Sequence, residues 1–382
     1  MNVQTYNQVC PVIFGLGAAA LVGEKAKELG ISKALLVTDE TLMKSEGYAQ
    51  VTRSLEAAGI KFVVFTKITP NPKDTEAAAG AEFGKASQVD GVIALGGGSA
   101  LDAAKAINLL IKNPEPLSQY YFSLDYKPLL PFISLPTTTG TGSEVTIYSV
   151  ITEESSNAKK VLLIKGALAI CDPELTYSLP AGLTATTGLD ALAHACESIT
   201  SKVTTPKSDV LSSWAIQQIF KWLPKAVAEP RNQEAKQAMM LASNFAGMGF
   251  SDTCCHIGHA AAHSLGVKFH VAHGLGCAWA LPETMKYSAK YVPARAKIVA
   301  EAMGIDPAAH SGAELGQAIA DRVTGLMKIV KCESIRDKGF SRQDCQSVAG
   351  LVLNDACYGF LPHPLTQAEV EDFLGAVYDS YQ

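Results

Sequence analysis

Residues 90–105 read DGVIALGGGSALDAAK, and this stretch decides the fold. An aliphatic run over 91–95 has the length and composition of a buried strand. Gly96, Gly97 and Gly98 follow it, and Ser99 opens a helix that carries Asp102 and Lys105. Three residues without side chains let backbone amides approach a pyrophosphate, and the helix N-terminus adds a favourable partial charge. The stretch is thus one strand–turn–helix unit with a place for an anion.

On either side the same unit recurs. KALLVTD (33–39), IKFVVFT (60–66) and PFISLPTT (131–138) read as further buried strands, with helical patterns over 18–29, 47–58, 74–88 and 99–112. Such alternation requires crossover connections and therefore a parallel, Rossmann-like sheet, whose ligands bind beyond the carboxyl ends of the strands. A hairpin-like stretch, NAKKVLLIK (157–165), follows. Composition changes after Asp172-Pro173 and Leu179-Pro180. From 182 onward the pattern is helical, over 185–200, 208–228, 233–249, 252–265, 290–303, 311–330 and 366–380. With 382 residues, two domains are expected. They are an α/β dinucleotide-binding domain over 1–181 and an all-helical catalytic domain over 182–382, with a cleft between them.

Composition narrows the function. Charged residues make up 18% and apolar residues 48%, with a net charge of −5 and no long charge run. This suits a compact enzyme acting on a small molecule, and offers neither a nucleic-acid stripe nor a polybasic membrane patch. No segment reaches the ~18 uninterrupted apolar residues of a spanning helix, and MNVQTYNQVCPVIF lacks the plan of a secretory signal. Nine cysteines, scattered and without a CxxC, fit free thiols in a reducing cytoplasm.

The chemistry concentrates in residues 251–282, SDTCCHIGHAAAHSLGVKFHVAHGLGCAWALP, which hold four of the eight histidines between His259 and His273. A helix would put His259 and His263 on one face, about 5–6 Å apart at Cβ. Gly266 is expected to stop that helix, and a short loop to return His273. In GLDALAHACES (188–198), Asp190 and His194 are again four apart and offer an oxygen and a nitrogen from one face. Together the two segments point to a metal centre. Spacing does not choose between His259 and His263 as ligand.

DALAHACE followed by HxxxHxLGxxxxxxHG resembles the metal-binding core of the iron-containing (group III) alcohol dehydrogenases. GGGSALDAAK resembles the same family's nucleotide motif, and the likeness runs from about residue 8 to the end. The resemblance implies the dehydroquinate synthase-like fold of that family. It implies Asp190, His194, His259 and His273 as ligands, with His263 facing the pocket. It also implies cofactor contacts from Gly96, Gly97, Gly98, Ser99 and Asp102, from Thr138, Thr139 and Thr141 in the cluster PTTTGTGSE (136–144), and from Lys160. A second glycine motif, Gly15–Ala20, fits G-x-G-x-x-A by letter and is read as a turn near the cofactor. Asp39, closing the first long strand, would accept from ribose hydroxyls and repel a 2′-phosphate, which favours NAD over NADP.

By the same likeness, Phe250 and Cys357 line the substrate pocket. The family's usual aromatic pair and proline before the last metal histidine are replaced by Lys268-Phe269-His270-Val271-Ala272. Lys268 and His270 make that approach more basic, which suggests an aldehyde carrying a carboxylate or sulfonate.

The expected reaction is hydride transfer between a small primary alcohol and NAD. A cation, Fe²⁺ by family and Zn²⁺, Ni²⁺ or Mn²⁺ by ligand chemistry, stabilises the alkoxide, and His263 relays the proton. Family members commonly form homodimers. Glycerol dehydrogenases and the dehydroquinate synthases, which are lyases, share the two-domain plan and are the alternatives.

Overall fold

The computed structural model describes residues 6–381. The chain divides into two compact units, one comprising Gln8–Thr138 with Gly142–Leu179, the other comprising Thr139–Thr141 with residues 180–381.

The first unit runs β1 (Val12–Phe14), α1 (Val22–Glu28), β2 (Lys33–Val37), α2 (Glu46–Ala57), β3 (Lys61–Phe65), α3 (Asp74–Ala86), β4 (Gly91–Gly96), α4 (Gly98–Lys112), β5 (Phe132–Pro136), β6 (Tyr148–Glu153), β7 (Ala158–Leu163) and β8 (Leu168–Cys171). Six strands form one sheet in the order β1-β8-β5-β4-β2-β3, with every pairing parallel. Alternation along the strands splits the core between its faces. Leu35, Val37, Val92 and Ala94 join one cluster with Leu101 and Ile107 of α4. Ala34, Leu36, Ile93 and Leu95 join the other, with Val22 and Val51. The long strands are therefore nearly continuous apolar runs, with Lys33 and Lys61 at their starts and Ser134 inside β5, which is why they stand out in the sequence. β1 and β8, of three and four residues, are too short to announce themselves, and they extend the sheet beyond β5. β6 and β7 form the antiparallel hairpin.

The second unit consists of α5 (Ala181–Thr200), α6 (Pro206–Ala228), α7 (Gln233–Thr253), α8 (Ile257–Phe269), α9 (His273–Tyr291), α10 (Pro293–Ala302), α11 (Gly312–Ile329), α12 (Arg342–Gln346), α13 (Ala349–Leu353) and α14 (Gln367–Ser380). No strand occurs among its described residues. Every residue of α5 from Gly188 to Thr200 is buried, as expected of a helix packed on all sides, here by α6, α7 and α9.

Three boundaries differ from expectation. Gly266 does not stop α8: the helix continues to Phe269 and ends where His270 adopts the left-handed conformation at φ 56°. The expected helix over 252–265 is broken, because Ser251–Thr253 complete α7 and Cys254, at φ 61°, turns the chain before α8. Residues 273–291, expected to begin as loop, form a helix despite Gly274, Gly276 and Pro282. A Cβ on Gly274 would lie 2.5 Å from the Thr186 carbonyl oxygen, and one on Gly276 would lie 3.1 Å from Ala262. These glycines serve close helix packing rather than a turn.

Candidate metal centre

Asp190 and His194 sit one turn apart on α5, and His259 comes from α8. His273 is the first residue of α9. Asp190 Oδ1 lies 3.6 Å from His259 Nε2, 3.5 Å from His273 Nε2 and 3.7 Å from His194 Nδ1. All three separations exceed hydrogen-bond reach. Asp190 is 1% exposed, and its Oδ1, His194 Nδ1 and His259 Nε2 have no hydrogen-bond partner. An orphaned buried polar atom costs roughly 1–3 kcal/mol, and more when charged. Three such atoms turned toward one another fit a divalent cation. Donors about 2.1 Å from a tetrahedral cation stand roughly 3.4 Å apart, close to the separations seen here.

Glu197 was not singled out in the sequence, although it lies seven residues after Asp190, on the same face of α5. It is fully buried. Its carboxylate accepts from the His256 amide at 2.6 Å, at the start of α8, and pairs with His259 Nδ1 at 2.6 Å. With Nδ1 committed to Glu197, His259 turns Nε2 toward Asp190 Oδ1. Burial alone would raise the Glu197 pKa. The His259 and His256 imidazoles and their hydrogen bonds outweigh it and hold the carboxyl down at about 2. Burial also pushes the His194 imidazole down to about 4, against the pull of Asp190, so it stays neutral and able to donate a lone pair.

Phe250 stacks on His194 with ring centroids 4.2 Å apart and planes within 11°. His263 stacks on His273 at 5.2 Å, and its Nδ1 pairs with Asp355 Oδ2 at 3.0 Å. Asp355, also unanticipated, accepts from the Cys357 amide through its other oxygen, so Cys357 packs beside His263. The donors of Asp190, His259, His273 and Cys277 all lie within 4.8 Å of one another, whereas His194 falls in a second group with Cys255 and His259.

Other expected site residues lie elsewhere. Lys268 is exposed and donates to the Ser347 carbonyl and hydroxyl oxygens at 3.2 and 2.8 Å. His270 ends α8 and is exposed. Within the sheet unit, Gly97 faces Thr138, with room of only 3.1 Å for a Cβ against the Thr138 methyl. α4 begins at Gly98 with no side-chain cap on its first amides. Asp102 accepts from Ser143 Oγ at 2.6 Å and from the Val150 amide at 3.0 Å. Lys105 is buried, with its ammonium on the carbonyls of Ser143, Thr146 and Tyr148. These two motif residues thus anchor 143–150 to α4. Asp39 accepts from the Leu42 amide at 2.9 Å, and Lys160 lies 3.8 Å from Glu153 in the hairpin. Thr139 and Thr141 group with the helical unit. In the Gly15–Ala20 turn, the Gly17 and Ala19 amides donate to the Asp172 carboxylate at 3.2 and 2.9 Å.

Comparison with known proteins follows the same two-part plan. Residues 11–173 match the iron-containing alcohol dehydrogenases, and residues 184–378 match the C-terminal part of the Fe-containing alcohol dehydrogenase family. The chain belongs to the iron-containing alcohol dehydrogenase family. As such it is 34% identical over 379 residues to the probable alcohol dehydrogenase EutG of Salmonella typhimurium, covering 98% of this chain and 95% of that one. This iron-containing alcohol dehydrogenase also superposes on the crystal structure of a 1,3-propanediol oxidoreductase with a TM-score of 0.94, at 32% identity, over 98% and 100% of the two chains. A sulfoacetaldehyde reductase from Bifidobacterium kashiwanohense, solved in complex with NAD+, gives 0.86 at 30% identity over 99% and 98%. Among the described residues, no helix of this family member is long and apolar enough to cross a membrane.

Proposed function

We propose that this chain is a metal-dependent, NAD(H)-linked alcohol dehydrogenase that interconverts a small primary alcohol and its aldehyde. The observation that carries the reading is the convergence of the partnerless Asp190 Oδ1, His194 Nδ1 and His259 Nε2 beside His273. Asp190, His194, His259 and His273 are the residues we assign to the metal, Fe²⁺ by family. The cation supplies Lewis-acid stabilisation of the substrate oxygen, worth several kcal/mol. The nicotinamide supplies the hydride acceptor or donor.

The chain's own residues do the rest. Glu197 fixes the tautomer of His259 through the 2.6 Å pair. Phe250, flat against His194, keeps water from one side of the centre. Asp355 holds His263 through Nδ1, which leaves Nε2 to carry the hydroxyl proton away. For the dinucleotide we assign Gly96, Gly97, Gly98, Ser99, Thr138, Thr139 and Thr141, with Asp39 at the ribose and Lys160 beside them. Asp102 serves the site by fixing 143–150. With its ammonium on Ser347, Lys268 is not assigned to an acidic group of the substrate. We also propose a homodimer.

The test is NADH formation from a panel of small alcohols, before and after chelation and after Fe²⁺ is restored. Turnover should vanish with the metal and return with it, and Asp190→Ala should not recover. Turnover indifferent to the chelator would end this reading. Products other than aldehyde, without net NADH, would assign the chain to the lyases instead.

A further inference from the structure

Cys277 has no part in the ligand set just assigned, yet it is placed for one. It lies one turn after His273 on α9, so both side chains share a face. Its Sγ is 3.7 Å from His273 Nε2, and it is 1% exposed. Sγ also lies within 4.8 Å of a carboxylate oxygen of Asp190 and a ring nitrogen of His259, each on a residue no more than 3% exposed. A sulfur about 2.3 Å and a nitrogen about 2.1 Å from one cation stand roughly 3.6 Å apart at the tetrahedral angle and roughly 3.8 Å apart at 120°. The observed 3.7 Å falls between the two. The group of four donors in mutual reach contains Cys277 and omits His194.

We propose that Cys277 is itself a donor, adding one thiolate as a fifth protein ligand to Asp190, His194, His259 and His273 until a substrate oxygen takes that position. When the sulfur–metal bond forms, the thiol proton leaves to solvent, and no electrons change hands. A soft donor biases the site toward thiophilic cations such as Zn²⁺ and Co²⁺ over Mn²⁺. It also places an oxidisable atom in the centre. The proposal rests on the metal-centre reading above.

Co²⁺ is the probe, added to the metal-free full-length protein and followed by absorption. A near-ultraviolet thiolate-to-cobalt band should grow and saturate at one equivalent. It should be lost in Cys277→Ser while the visible cobalt bands remain, and kept in Cys255→Ser and Cys357→Ser. If Cys277→Ser does not fold, X-ray absorption of the Zn²⁺-loaded unmodified protein decides, and should contain one sulfur at about 2.3 Å. Stoichiometric Co²⁺ uptake without the band, or a band that survives Cys277→Ser, overturns the thiolate alone. Failure to take up Co²⁺ at all removes the metal centre and the thiolate together.

Discussion

Glu197 shows how much a single buried carboxylate can organise. It starts α8 by accepting from the His256 amide and orients His259 from behind. Removing such a supporting partner typically costs 10–100-fold in metal affinity. Glu197→Gln should therefore weaken metal binding by about that factor, measured by competition with a chromophoric chelator. The residue also predicts a pH dependence. Its carboxyl is held at about 2 against an ordinary 4.5, so the unfolded chain takes up its proton first as pH falls. The stabilisation is complete above about pH 4.5 and fades as pH falls toward 2. Denaturant titrations of the chelated protein should show that loss, and Glu197→Gln should flatten it. The pairs Asp190/His194 and His259/His263 stood out because i, i+4 pairs of metal-binding types are rare in apolar helices, whereas the choice of ligands among them came from the family resemblance. Glu197 and Asp355 were not legible, since an acid in a helix or turn is ordinarily solvated and only the fold shows what they touch.

Among the elements, α9 was the least legible. His273 was expected on a short returning loop, whereas it begins a helix whose Gly274 and Gly276 let it approach the neighbouring helices. The long strands β2 to β5 were read to within two residues at each end, because each is a nearly continuous run of aliphatic or aromatic residues, even in β3, which is only partly buried at the sheet edge. The approach at Gly274 has an energetic consequence. Gly274→Ala would press a methyl against the Thr186 carbonyl and move His273 off Asp190, at a cost of about 1–3 kcal/mol. Gly325→Ala, in α11 with nothing within 4 Å, should instead stabilise by about 0.5–1 kcal/mol. Thermal melts with metal titrations on both variants check the pair: both properties should fall in the first, and only stability should rise in the second.

For the molecule as a whole, all the proposed metal donors belong to the helical unit. A ligand present at a hundred times its Kd stabilises the state that binds it by about 2.7 kcal/mol. Metal removal should therefore speed hydrogen exchange in α5, α8 and α9 and leave the amides of β4 and β5 unchanged. Equal acceleration in the sheet would contradict that confinement. The two-part architecture was legible from the change of hydrophobic period near residue 180. The role of Asp102 and Lys105 was not, because their partners lie some forty residues away in the loop before β6.

The turn at Gly15–Ala20 carries a lesson for motif searches. Its letters promise a berth for a phosphate, but the chain has already moored its own Asp172 there. A strand that parallels β1 thus delivers, at its end, the anion that the glycines would otherwise seek from outside. Two glycine motifs can coexist in one sheet when one of them is spoken for from within.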